Sequence, residues 1–97
     1  FLSGGVDSST VCALIRGRLG VPLKTYSIGF ADAPESEHET ARAFARHLGT
    51  EHHEQVLSPD ASSFLLDIGR VVDEPNADSS CLPTYLLSRF ARESVTV

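Results

Sequence analysis

Residues 2–9, Leu2-Ser3-Gly4-Gly5-Val6-Asp7-Ser8-Ser9, decide how the rest of the chain is read. Phe1 and Leu2 read as the end of a strand, and Val11, Leu14, Ile15 and Leu19 follow at helical spacing. The stretch is therefore a strand-to-helix turn holding two glycines, three hydroxyls and one carboxylate. Unpaired backbone N–H groups and the positive end of the helix dipole favour an anion there. Gly4 and Gly5 let phosphate oxygens approach the main chain with no Cβ in the way, and Ser3, Ser8 and Ser9 offer hydroxyl donors. A carboxylate beside a phosphate repels it unless a cation lies between, so Asp7 reads as a ligand for Mg²⁺ carried by a nucleotide. The plainer reading is a Gly/Ser turn in which Asp7 or Ser8 caps the helix. Two other phosphate loops are excluded. Lys24 is the only lysine and lies far from the loop, so there is no G-x-x-x-x-G-K-[ST], and no G-x-G-x-x-G follows a strand.

A chain of 97 residues is one domain at most. Its first residue falls inside a strand and Val95-Thr96-Val97 reads as another strand beginning, so both ends are expected to be cut from a larger sheet. The net charge of −5 and the absence of a Lys/Arg run argue against nucleic acid as a partner. No apolar stretch approaches the ~20 residues that span a bilayer, and the first residues lack a signal-peptide layout, so no membrane is expected. Cys12 and Cys81 form neither a metal-spaced pair nor a disulfide framework. They read as small buried hydrophobes of a cytoplasmic, reducing compartment.

Elements alternate along the chain. After the strand ending at Leu2 come a helix over about 8–18, a strand over 23–30 and a helix over 37–48. A strand over 53–57, helices over 59–72 and 83–93, and a strand starting at Val95 complete the pattern. Ser36 and Glu39 make a capping box for the second helix, Ala41, Phe44, Ala45 and Leu48 its apolar stripe, and Gly49 its stop. Ser58 and Pro59 start the third, although Gly69 weakens it. The fold class is α/β, an open parallel sheet with helices on both faces. Ligands in such sheets bind beyond the carboxyl ends of strands, so Ile28, near the end of the second strand, is placed to offer backbone groups to a base. It reads equally as a plain buried strand residue.

Asp73, Glu74 and Asp78 concentrate three carboxylates in six residues. They read as a cation or ammonium site, or as a solvated loop in which Asp78 or Ser79 caps the next helix. His38-Glu39 begins an H-E-x-x-H that fails at Arg42. His52 and His53, neighbours in a strand, point to opposite faces and cannot chelate together. Glu35-Ser36 at the strand-to-helix edge is a possible ligand contact or simply the start of the helix.

Residues 3–8 match the S-G-G-x-D-S loop of the ATP pyrophosphatase superfamily. Tyr26-Ser27-Ile28-Gly29-Phe30, Glu35-Ser36, Leu48-Gly49-Thr50 with His52-His53-Glu54, and Asp73-Glu74-Pro75 with Asp78-Ser79-Ser80 and Pro83 follow in order. Together they resemble the synthetase domain of the glutamine-dependent asparagine synthetases over essentially the whole chain. The resemblance implies the Rossmann-like adenine nucleotide α-hydrolase fold, with residues 1–97 as the N-terminal part of a single synthetase domain. It implies ATP and Mg²⁺ as cofactors, with Leu2 and Ile28 contacting adenine and ribose. Asp7 would hold the metal, and the loop amides of Gly4 and Gly5 would grip pyrophosphate with Ser3, Ser8 and Ser9. Partners would be aspartate or a related carboxylate, ammonia from a glutaminase domain outside this chain, and a second copy in a homodimer of the parent. The rival acceptors are those of β-lactam synthetase-like enzymes and of sugar or peptide amidotransferases. From another class comes a noncatalytic nucleotide-binding module. The later acidic loop and lysines of the family lie beyond these residues, so the isolated chain is expected to be inactive.

Overall fold

The computed structural model describes residues 1–31, 37–58, 62–72, 74 and 78–96. Its elements run α1 (Val6–Leu19), β1 (Lys24–Phe30), α2 (Glu37–Leu48), β2 (Glu51–Leu57), α3 (Ser62–Val71) and α4 (Cys81–Arg92). β1 and β2 pair in parallel, from Lys24 opposite Glu51 to Phe30 opposite Leu57. Leu2 adds one backbone bond on the other side of β1, its N–H donating to the Tyr26 carbonyl at 2.9 Å.

Alternation along β1 assigns the two faces. Thr25 and Ser27 turn toward α2, and a Cβ on Gly29 would meet His38 of that helix. Tyr26 turns the opposite way, stacking on His53 at 5.0 Å and meeting Phe90 of α4 edge-on at 5.7 Å. Helices therefore cover both faces of a parallel sheet, as the alternating pattern implies. The core under α2 is built from Leu2, Cys12, Ala41 and Ala45, with Leu23 and Leu48 packed against it.

α2 has the expected bounds, and its end shows why. Gly49 takes φ +63°, its N–H reaches the Arg46 carbonyl at 3.3 Å, and the Thr50 N–H reaches the Ala45 carbonyl at 3.1 Å. This is the paired bonding of a glycine-terminated helix, which satisfies the last carbonyls and turns the chain at once into β2. β2 accordingly begins at Glu51, two residues before expectation, because the Glu51 N–H is already bonded to the Leu23 carbonyl at 2.9 Å.

Three expectations are corrected. α1 starts at Val6, since Gly5 supplies its N-cap in extended backbone with φ −71° and ψ 161°. The inward face of α1 carries Ser9 and Cys12, whereas Val11, Leu14 and Leu19 are more than half exposed. Small side chains are what allow α1 to approach the alanines of α2. No strand begins at Val95, whose N–H still bonds back to the Ala91 carbonyl at 3.0 Å at the end of α4. α4 itself starts at Cys81, two residues early, with Pro83 in its first turn, where a missing N–H costs nothing. Residues 59–61, proposed as the start of the third helix, lie outside the described residues. No helix among the described residues is long and apolar enough to cross a membrane.

Candidate functional site

Gly5 caps α1 without a side chain, and the first helical bond runs from the Ser9 N–H to the Gly5 carbonyl at 3.1 Å. The N–H groups of Val6, Asp7 and Ser8 precede that bond and have no acceptor within the helix. Neither Asp7 nor Ser8 is the cap. Asp7 is exposed in the first turn, while the Ser8 hydroxyl turns back into the loop. Ser8 Oγ donates to the Gly5 carbonyl at 3.3 Å and accepts the Ser3 N–H at 3.2 Å. A hydroxyl has one proton, so across the 3.1 Å Ser3–Ser8 contact it is Ser3 Oγ that donates, and Ser3 Oγ in turn accepts the Gly5 N–H at 3.3 Å. The two hydroxyls thus brace the loop in a closed ring, leaving main-chain N–H groups to face an anion. Ser9 is buried at 5% exposure and its hydroxyl has no partner among the described residues.

Gly4 has φ +83°, and a Cβ there would lie 2.9 Å from the Ala41 nitrogen and 2.9 Å from Thr40 Cβ. Its lack of a side chain answers first to α2, not to an approaching phosphate. At Gly5 the nearest atom to such a Cβ is Ser3 Oγ, at 3.3 Å.

Beyond the carboxyl end of β1 lies a cleft of about 320 Å³, walled by Phe1 to Ser3, by Ser27 to Phe30, by Glu37 and His38, and by Pro83, Thr84 and Leu87 of α4. It brings Leu2, Ser3 and Ile28 together, with Gly4, Gly5, Asp7 and Ser8 next along the loop. The Ala31 N–H bonds to the Leu57 carbonyl at 3.0 Å, so odd-numbered residues of β1 turn their peptide groups toward β2. Tyr26 turns the other way, to Leu2. Ile28 shares the parity of Tyr26, so its N–H and C=O point past Leu2 into the cleft. That donor and acceptor pair matches the edge of an adenine ring.

Beneath the cleft, the Ser27 hydroxyl meets His52 Nε2 at 3.2 Å and Thr25 Oγ1 meets His52 Nδ1 at 2.9 Å. Thr25 also contacts Thr50 Oγ1 at 2.9 Å. Burial holds His52 below the usual imidazole range, against the raising influence of Glu54. Arg42 forks onto Glu54 at 2.8 and 2.6 Å, and these hydrogen bonds keep the carboxyl below its ordinary range. His52 and His53 do point to opposite faces, as alternation requires.

The Asp78 carboxylate accepts the Ser80 N–H at 2.8 Å, which lowers its pKa. Neither Asp78 nor Ser79 is the expected N-cap, and the Asp78 carboxylate instead braces the turn that leads into the helix. Glu74 is exposed, and Asp73, Glu35 and Ser36 lie outside the described residues. No three His, Cys, Asp or Glu side chains among the described residues converge on a metal site. A cation at the loop would rest on Asp7, ligand oxygens and water, a donor set that Mg²⁺ accepts. Sequence reading missed Ser27, Gly29, His38 and the α4 wall. Only Gly29 carried a signal, being a lone glycine inside a strand, which marks a close approach.

A parallel α/β layer with an open helix N-terminus beside the strand ends defines a class of nucleotide- and phosphate-binding folds. Within that class the chain belongs to the asparagine synthase family, whose model matches residues 1–97. It is 35% identical over 100 residues to asparagine synthetase [glutamine-hydrolyzing] 1 of Bacillus subtilis, covering all of this chain and 15% of that protein. It is 37% identical over 99 residues to a putative asparagine synthetase of Methanocaldococcus jannaschii, again along its whole length and over 19% of the relative. With the asparagine synthetase of Bos taurus it shares 38% identity over 101 residues, 96% of this chain and 18% of that protein. The chain therefore spans less than a fifth of the length of these relatives.

Proposed function

We infer that residues 1–97 form the N-terminal, nucleotide-binding part of a single ATP-using synthetase domain that amidates aspartate to asparagine in the cytoplasm. The observation that carries this reading is the side-chain-free cap of α1, with free N–H groups, beside a cleft into which Ile28 turns a donor and an acceptor. Adenine would lie between Leu2 and Ile28, and the pyrophosphate portion would rest on the amides of the α1 N-terminus. Ser3 and Ser8 keep that loop in shape, and buried Ser9 supports it from behind.

A carboxylate is a poor acyl donor until one oxygen becomes part of a good leaving group. In the proposed reaction the β-carboxylate of aspartate attacks the α-phosphorus of ATP and pyrophosphate departs, giving β-aspartyl-AMP. Ammonia then displaces AMP. The helix N-terminus stabilises charge that develops on the departing pyrophosphate. Mg²⁺, held by Asp7, would neutralise phosphate charge when bound. The relatives are named as glutamine-hydrolysing, which supports ammonia delivered from a glutaminase domain outside these residues.

Two measurements test the reading. Calorimetric titration should show the chain binding MgATP more tightly than MgGTP, because adenine offers its N1 acceptor and N6 donor in the order that the Ile28 N–H and C=O require, whereas guanine meets the same pair only with the base turned over. The full reading frame should catalyse pyrophosphate–ATP exchange only with aspartate. Exchange driven by another carboxylate would reassign the acceptor, and ATP binding without any exchange would leave a noncatalytic binding module. Equal binding of ATP and GTP would remove the role given to Ile28.

A further inference from the structure

Both halves of the nucleotide cleft rest on one helix. The loop half rests on α2 at Gly4, where a Cβ would come within 2.9 Å of the Ala41 nitrogen and of Thr40 Cβ. The strand half rests on it at Gly29, where a Cβ would collide with the His38 ring, 2.7 Å from its Cγ. Between them Ala41, fully buried, packs against Leu2 in the core. His38 Nδ1 is buried without a partner among the described residues, so the ring meets Gly29 by shape and not by a hydrogen bond. No spacer intervenes at either contact, and His38 and Thr40 belong to the same opening turn of α2.

We propose that the opening turns of α2 are the gauge of the site, fixing the span between the phosphate-binding loop and the base-reading end of β1, with His38 and Thr40 as positioning residues. This rests on the nucleotide reading above. A ligand with a base at one end and a pyrophosphate at the other gains from both subsites only when their separation matches its length. Each piece bound alone is indifferent to that separation. A methyl group added at Gly29 must displace the His38 ring, and on this proposal the displacement carries the start of α2 away from the strand. The span changes while each subsite keeps its own groups.

The test compares three probes on the full chain by calorimetry with magnesium chloride present: adenosine, inorganic pyrophosphate and ATP. Gly29→Ala should weaken ATP by about tenfold or more and leave pyrophosphate within about twofold, with adenosine, which touches the wall that Gly29 lines, losing clearly less than ATP. His38→Ala only removes atoms and serves if Gly29→Ala fails to fold. It should show the same split more mildly. The double variant, in which the methyl group takes the space of the missing ring, should bind ATP better than Gly29→Ala alone, the coupling expected of residues in contact. Unchanged ATP binding in both single variants would overturn the proposal. So would a parallel loss of all three probes, or a double variant no better than Gly29→Ala. If the unaltered chain binds none of the probes, it is the nucleotide reading that falls.

Discussion

Replacing Gly4 with alanine should damage the ligand-free chain, and the structure gives the size of the effect. At φ +83° an L-residue is strained whatever the space around it, at a cost of about 1–2 kcal/mol. The new Cβ would also stand 2.9 Å from a backbone nitrogen and from Thr40 Cβ, neither of which is the far end of a flexible side chain. Such overpacking costs about 1–3 kcal/mol. The sum, about 2–5 kcal/mol, is a large share of the ~5–15 kcal/mol that stabilises a typical domain. It corresponds to a loss of roughly 10–30 °C in Tm for a chain of this size. Gly20→Ala is the control, because Gly20 also has positive φ, +62°, but nothing lies within 4 Å of its Cβ position. It should lose only the strain, about 1–2 kcal/mol. Gly5→Ala, at φ −71° with one contact of 3.3 Å to a serine hydroxyl, should be close to neutral for stability. Urea denaturation of the three variants without nucleotide checks the order. Gly4→Ala no worse than Gly20→Ala would refute the claim that α2, and not the ligand, demands glycine at this position.

Thr25→Val should cost about 1–3 kcal/mol by chemical denaturation, because it strips a 2.9 Å partner from both Thr50 and His52 in the interior. A loss comparable to an exposed threonine substitution would count against that network. His52 is held by burial below its ordinary value of 6.5, so the unfolded chain takes up its proton first as pH falls. The stability contributed by neutral His52 is complete above about pH 6.5 and is lost as pH falls toward the folded value. His52→Gln should flatten the slope of urea midpoint against pH in that window, and an unchanged slope would acquit the residue. Asp78→Ala should loosen the start of α4 and slow-exchanging amides near Cys81 should exchange faster, since the Ser80 N–H loses its 2.8 Å acceptor. Asp78→Asn, which keeps an acceptor oxygen, should retain most of the protection.

How much of this was legible beforehand depends on whether a signal was local. The end of α2 is readable because its stop is written in Gly49, whereas Ser36, the cap expected at its start, lies outside the described residues. The start of β2 was obscured because Glu51, His52, His53 and Glu54 lack an apolar alternation, and only pairing with β1 makes them a strand. The apolar spacing in α1 locates the helix but not its buried face, since close approach to Ala41 and Ala45 selects Ser9 and Cys12 over larger neighbours. At the site, the loop and Ile28 are legible in the sequence as a turn and a strand end, which the fold brings to one cleft. The roles proposed for them are ones that main chain at strand ends can carry. The contacts of Ser27 and Thr25 with His52 are not legible, because joining residues of two strands requires a register that no single segment contains.

The division of labour in the loop has a consequence for how variants are read. Gly4 is needed by α2, Ser3 and Ser8 spend their protons on each other and on Gly5, and Ser9 faces inward. Among residues 3–9, the groups left for an anion are backbone N–H groups that no substitution other than proline removes, together with the Asp7 carboxylate for a cation. Substitutions at the conspicuous serines and at Gly4 therefore act on ligand affinity through the shape and stability of the loop. Among the polar side chains of the loop, Asp7 is the one that can be altered with the cradle intact. Asp7→Asn should accordingly leave the denaturation midpoint in place and weaken ATP selectively when magnesium is present, an effect that disappears when the metal is withheld. Equal weakening with and without magnesium would remove the metal role from Asp7 and return it to the surface of α1 as an ordinary first-turn acid, stabilising the helix dipole and nothing else.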